Sequence, residues 1–213
     1  MSVLVALPSY DGTRLNGRAV LEVAALGPVR LMDFNLSLLA RAFNECWAAA
    51  LNERPDVTHF LMVHADVVPQ GRDWPVRLRD LMSASQADVM SVVLPIKTSH
   101  GLTSTALETA DPWHPRPLSF ADLQAREETW TEPGLLVNTG LMLVNMQRDW
   151  VEQVHFHVDD RVVLDSGRYR PESKPEDWNF SRDARAAGAS VWATRAVRAT
   201  HLGYHAWPNW EVK

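Results

Sequence analysis

With 213 residues, 46% hydrophobic against 22% charged and a net charge of −5, the chain has the composition of an ordinary globular protein with room for one sizeable core. The basic residues form no continuous run that would mark a nucleic-acid footprint, no apolar stretch reaches the roughly 20 residues that span a bilayer, and the N-terminus lacks a basic segment followed by a long apolar one. The single cysteine, Cys46, excludes an intrachain disulfide and makes the cytosol the default compartment, with any membrane contact peripheral.

In chain order, residues 3–7 form a short apolar run that reads as a buried strand. Residues 36–51 follow a helical period, with Leu36, Leu39, Phe43, Trp47 and Ala50 on one face and Cys46 at a core position. A second apolar run, residues 60–63, is closed by His64, Ala65 and Asp66 before Val67. Polar side chains emerging at the end of a buried strand mark the sheet edge where α/β folds place their ligands. A helix over 74–82 and an apolar strand over 89–94 continue a βαβα order, which predicts a mainly parallel sheet covered by helices.

From 100 to 133 the periodicity fades and prolines, tryptophans and charges accumulate, predicting an irregular insertion or a loop with one short helix. Strand character resumes over 135–144, interrupted by Asn138, Thr139 and Gly140. A helix opens at Pro175, Glu176 and Asp177, runs through Phe180, Ala184 and Ala187, and stops at Gly188. Ser173 and Glu176 have the spacing of a capping box, and Pro175 suits the first turn. Residues 197–200 predict a short strand leading to His201, Leu202 and Gly203. One domain, 1–213, is expected.

A carboxylate, an acidic pair and a histidine, arriving at separate strand or helix ends, have the makings of one metal and acid/base site. In this order the segments resemble a glycosyltransferase of the GT-A fold, a family 2-like nucleotide-diphospho-sugar transferase. Residues 3–8 resemble its first strand, ending at Pro8, and the exit loop with Tyr10 and Asp11 falls where the family meets the nucleotide base. Ala42, Phe43 and Asn44 are similar to its Ala-Arg-Asn helix stretch, with Arg41 displaced. His64, Ala65 and Asp66 occupy the place of the Asp-x-Asp metal motif, and Lys97 the place of a lysine that meets the donor. Asn138, Thr139 and Gly140 are similar to the Thr-Gly strand beside the acceptor.

The resemblance implies an α/β, Rossmann-like mixed sheet flanked by helices. It also implies transfer of a hexose or similar sugar from a nucleotide-diphosphate donor to a hydroxyl acceptor: a saccharide, a lipid-linked glycan, a protein or modified nucleic acid. Asp177, with Glu176, would supply the base of an inverting enzyme. Asp66, His201 and His64 would hold a divalent metal. An imidazole in place of a carboxylate favours Mn²⁺ over Mg²⁺. On a strand, residues two apart point to the same side, so His64 and Asp66 are expected to face one site. Residues 100–134 would form an acceptor-side insertion and 201–213 a lid over the donor, with Trp113, Trp130, Trp178, Trp207 and Trp210 as candidates to pack on sugar faces.

Each residue also has a plainer role. Glu176 can cap a helix, Asp66 a turn, His64 and Cys46 can pack, and Lys97 can be a solvated charge. Two other functions fit the same sequence. Gly12, Thr13 and Arg14 resemble the phosphate loop of sugar nucleotidyltransferases. The altered metal motif fits a carbohydrate- or nucleotide-binding protein without catalysis.

Overall fold

The computed structural model describes residues 1–9, 17–35, 38–54, 56–98, 100–203 and 206–210, with backbone alone at 9, 17, 33–35, 206 and 207. Tyr10, Asp11 and the 12–14 segment therefore lie outside the described residues, as does Leu36.

The apolar runs become strands and the amphipathic runs helices. Strand β1 (Val3–Ser9) leads through α1 (Gly17–Val23) to β2 (Val29–Asn35), and α2 (Leu39–Asn52) to β3 (His59–Val63). After the short β4 (Val67–Pro69) come α3 (Trp74–Ser85) and β5 (Val89–Val92). Next follow β6 (Leu102–Leu107), β7 (Arg116–Ser119), α4 (Phe120–Gln124), β8 (Thr129–Trp130), β9 (Leu135–Leu136) and β10 (Leu141–Asn145). A hairpin of β11 (Asp159–Asp165) and β12 (Arg168–Lys174) precedes α5 (Glu176–Ala186), β13 (Val191–Thr194), β14 (Ala199–Leu202) and β15 (Ala206–Pro208).

The central sheet has seven strands in the order β2-β1-β3-β10-β5-β13-β8. β1 is parallel to both β2 and β3, β13 is parallel to β5, and β10 and β8 run against their neighbours. This is the mixed, mainly parallel, Rossmann-like sheet expected of a GT-A domain. Both faces are covered, so its strands are apolar on both sides. Along β3, Phe60 and Met62 join the cluster with Phe43, Trp47, Phe156 and Phe180, while Leu61 and Val63 join Trp74, Leu78 and Met90 on the other face. Trp47 is the hub of the first cluster, meeting Phe60, Phe156 and Phe180 edge-on at 5.1–5.9 Å between centroids.

Several expectations change. Helix α2 starts at Leu39, which is 48% exposed and so does not belong to the buried face carried by Phe43, Trp47 and Ala50. The 100–134 stretch is more regular than its composition suggests: β7, β6 and β9 form a three-stranded sheet, and β8 closes the edge of the central one. Two of its pairings, β8 with β13 and β6 with β9, lie between segments far apart in sequence, which local periodicity cannot register. The strand character over 135–144 is interrupted at Asn138–Gly140 as expected, and the two strands on either side belong to different sheets. The capping box does not form: the N-cap of α5 is Pro175, and Ser173 lies in β12 with its hydroxyl on Asp160. Gly188, at φ +97°, ends the helix as expected, with Ala189 N–H reaching back to the Ala184 carbonyl at 2.8 Å. At the other end of the chain, Asn209 fastens β14 to the central sheet: its amide donates to the carbonyls of Val93 (2.9 Å) and Val197 (3.1 Å) and accepts from Ala199 N–H (3.0 Å).

Candidate functional site

Two groups of polar residues meet the segment 137–140, where the chain passes from one sheet to the other. Its geometry follows from Asn138, which is buried and fully used: its amide donates to the Val92 carbonyl at 2.9 Å and accepts from Gly140 N–H at 3.0 Å. Ser91 hydroxyl donates to the Asn138 carbonyl at 2.7 Å. Gly140 sits in a tight place, since a Cβ there would lie 2.5 Å from Leu94 Cδ1 and 3.2 Å from Asn138 Oδ1, so a larger residue would have to displace the buried Leu94 side chain.

The first group surrounds Asp66. Strand β3 ends at Val63, and residues 64–67 form a turn closed by Val67 N–H to the His64 carbonyl at 3.0 Å. The rule that side chains two apart share a face therefore does not apply to His64 and Asp66. His64 packs tilted against Phe43, at 5.0 Å between ring centroids, and meets the Thr139 hydroxyl at 3.3 Å. Burial pushes its imidazole down to about 4, against the opposing pull of Asp66, which leaves it neutral at physiological pH. Asp66 instead receives Lys97, whose ammonium lies directly on Oδ2. His201 Nε2 stands 3.6 Å from the same oxygen. Because a carbonyl only accepts, the 2.9 Å contact of His201 Nδ1 with Pro95 O fixes the proton on Nδ1. Burial pushes the Asp66 carboxyl up, but His201 and Lys97 outweigh it and hold the group well below the usual carboxylate range.

The expected metal ligands are thus gathered in part. Asp66 and His201 face one another; His64 is engaged with Thr139 and Phe43. Among the described residues no three His, Cys, Asp or Glu side chains are grouped to hold a metal ion. The Asp66 oxygen that a divalent cation would share with His201 already carries the Lys97 ammonium, so the donor set does not fit a metal as it stands.

The second group opens α5. Ser181, one turn after Asp177 on the buried face, accepts from Val137 N–H at 3.0 Å and has the Asp177 carbonyl within 2.9 Å. That latch fixes the first turn of α5 against the segment that carries Thr139. Trp178 adds a second latch, its indole N–H donating to the Ser104 carbonyl at 3.0 Å. Ser104 in turn bonds the Leu94 carbonyl, next to the Pro95 carbonyl held by His201. The Asp177 carboxyl accepts from Trp178 N–H at 2.7 Å. Burial, then the adjacent charge of Glu176, push it up to about 8, while burial raises Glu176 as well. Asp177 as a residue is half-buried.

The remaining expected residues are placed as follows. Pro8 is buried near the end of β1, beyond the last residue paired with β3, where a missing N–H costs least. Asn44 is taken at both ends of its amide by the Phe156 main chain, donating at 2.7 Å and accepting at 2.8 Å. Its bonds therefore tie α2 to the 156 region. Arg41 pairs with Glu45 on the surface at 3.6 Å. Trp130 packs in the core, Trp113 lies under Arg161 and Lys174 at 4.0 and 4.5 Å, and Trp210 is 38% exposed. Sequence reasoning missed Ser181, Ser104 and the Lys97–Asp66 pair. Of these only Ser181 left a signal, a polar side chain on the apolar face of a helix.

No family model and no curated protein matches the sequence. Among solved structures, the chain is similar to A197 from STIV at 15% identity, with 95% of this chain and 86% of that one covered and a TM-score of 0.57. It is more distantly similar to a mannose-1-phosphate geranyltransferase from Thermus thermophilus (14% identity, 68% and 58% covered, TM-score 0.37). A glycosyltransferase involved in glycosylating the major capsid of PBCV-1 aligns at 12% identity, 71% and 63% covered, TM-score 0.36. At these identities the first likeness is one of fold, and the other two are too slight to argue from.

Proposed function

We propose that this protein is a glycosyltransferase that moves a sugar from a nucleoside-diphosphate donor to a hydroxyl acceptor with inversion, Asp177 acting as base. The observation that carries the reading is Asp177, a half-buried residue on the latched first turn of α5, with its carboxyl raised to about 8 by burial and by Glu176. A general base works best when its pKa lies near the working pH, and an ordinary surface aspartate is far too acidic. The helix dipole alone would favour an ionised carboxylate here, so its elevation reflects a low-dielectric setting in which proton transfer is effective.

In this reaction the acceptor oxygen attacks the anomeric carbon, its proton passes to the Asp177 carboxylate, and the bond to the β-phosphate breaks with its electron pair staying on the diphosphate. The Thr139 and Trp178 region would receive the acceptor and the Asp66 group the diphosphate. The Rossmann-like sheet supports this placement, since such folds bind ligands beyond the strand ends.

The test is turnover of a panel of nucleotide sugars, read as released nucleoside diphosphate with simple saccharide acceptors. Asp177→Asn is expected to lose 10²- to 10⁴-fold in kcat, the usual weight of general-base catalysis, with nucleotide affinity retained. Undiminished turnover in that variant refutes the assignment.

A further inference from the structure

We propose that Lys97, clamped on Asp66, supplies the positive charge that balances the donor diphosphate, so that binding and transfer proceed without a divalent metal. The inference rests on the glycosyltransferase reading above.

The position where a cation would bridge this acidic site and a diphosphate is defined by Asp66 Oδ2, with His201 Nε2 at 3.6 Å. That oxygen holds the Lys97 ammonium. A dication and an ammonium cannot share it without placing like charges in contact, so the two compete for one place. Lys97 is held there by its own segment. It follows Pro95, whose backbone pairs with Thr103 and whose carbonyl accepts from His201, and Ile96 N–H bonds the Leu102 carbonyl at 2.9 Å. The lysine side chain is 35% exposed and Asp66 33%, so a ligand can reach both. An ammonium has three N–H donors; among the described residues Asp66 takes one, which leaves the others to phosphate oxygens. Asp66 is then a positioning residue that aims Lys97, rather than a metal ligand.

During transfer, the electron pair of the cleaved bond from the anomeric carbon to oxygen adds one negative charge to the departing diphosphate. The N–H groups of Lys97 that Asp66 does not take donate to that charge where it forms, as oriented hydrogen-bond donors rather than a Lewis acid. The acceptor proton leaves on Asp177 and atoms balance without a further reactant.

The experiment is thermal unfolding of the full chain with ADP, GDP, UDP, CDP and dTDP, in EDTA and in Mn²⁺, for the wild type, Lys97→Met and Lys97→Arg. One nucleotide is expected to raise the wild-type midpoint equally in EDTA and in Mn²⁺, with affinity at least tenfold weaker in Lys97→Met and largely kept in Lys97→Arg. A rise that needs Mn²⁺ overturns this inference and leaves the transferase reading standing, with Asp66 and His201 as the metal ligands. A rise in EDTA that Lys97→Met retains also overturns it. No rise with any nucleotide, metal present or not, overturns both. The wild-type arm depends on no variant folding.

Discussion

Two aspartates, one in the turn after β3 and one opening α5, have been given opposite surroundings. Asp66, in the turn after β3, is met by the Lys97 ammonium and the His201 ring, and its carboxyl is held well below the ordinary range. Asp177, at the start of α5, has Glu176 beside it and backbone N–H groups, those of Trp178 and of its own residue, as donors, and is raised to about 8. The same side chain is a permanent anion in one place and a proton acceptor in the other. Pairs of carboxylates driven apart in this way are how a protein assigns separate anchoring and acid/base roles.

The sharpest break of this contrast is in the pH dependence of turnover. If Asp177 must be ionised to accept a proton, kcat/KM rises with pH and levels off near 8, reporting the free protein. A profile flat from pH 6 to 9 removes Asp177 as base. The same elevation has a stability consequence with a definite sign. Between the unfolded value of about 3.9 and the folded value of about 8, the unfolded chain is ionised while the folded one keeps its proton. Unfolding then releases a proton, and stability falls as pH rises, by up to about 1.4 kcal/mol per pH unit. Asp177→Asn removes that slope. In urea titrations the variant should gain on the wild type between pH 5 and pH 8; a constant difference denies the shift.

A smaller effect tests how α5 is held. Ser181→Ala leaves Val137 N–H buried without its acceptor, a loss of about 1–3 kcal/mol, visible as a lower urea midpoint with unchanged slope. Since the latch holds the first turn of α5, the variant should also lose turnover in proportion more than it loses nucleotide affinity. Equal loss of both argues that the two groups are not separately anchored.

The two aspartates differed in how readable they were. The alternation of apolar runs and amphipathic stretches carried the sheet and α2, α3 and α5, because both faces of β1, β3 and β5 are buried and leave long apolar signatures. Both acidic positions stood out for the same reason, as polar residues terminating such elements. What surrounds them did not. Lys97 meets Asp66 across 31 residues, and Asn44 meets Phe156 across 112, distances at which periodicity carries no information. The β11–β12 hairpin was missed although Ser166 and Gly167, at φ +50° and +78°, form the tight turn such a dipeptide favours. Its strands carry ion pairs such as Arg161–Glu172 rather than an apolar face against the core, so no hydrophobic pattern announces them.

The smallest expected effect is the other half of the contrast. Asp66→Asn removes the partner of Lys97, and both side chains are about one-third exposed, so solvent screens the pair and its loss should cost only about 0.5–1 kcal/mol at pH 7. For a chain of 213 residues that lowers the midpoint of thermal unfolding by about 1–4 °C. The sign is opposite to that for Asp177. A carboxyl held low in the folded protein contributes stability above its ordinary range and loses it on acidification, so the deficit of Asp66→Asn should shrink as pH falls through 4. High salt should shrink it as well, because the ion pair is within reach of solvent ions, whereas the gain of Asp177→Asn comes mainly from burial and should persist. A deficit that grows on acidification, or one that salt leaves untouched, means that Asp66 is held by something other than Lys97.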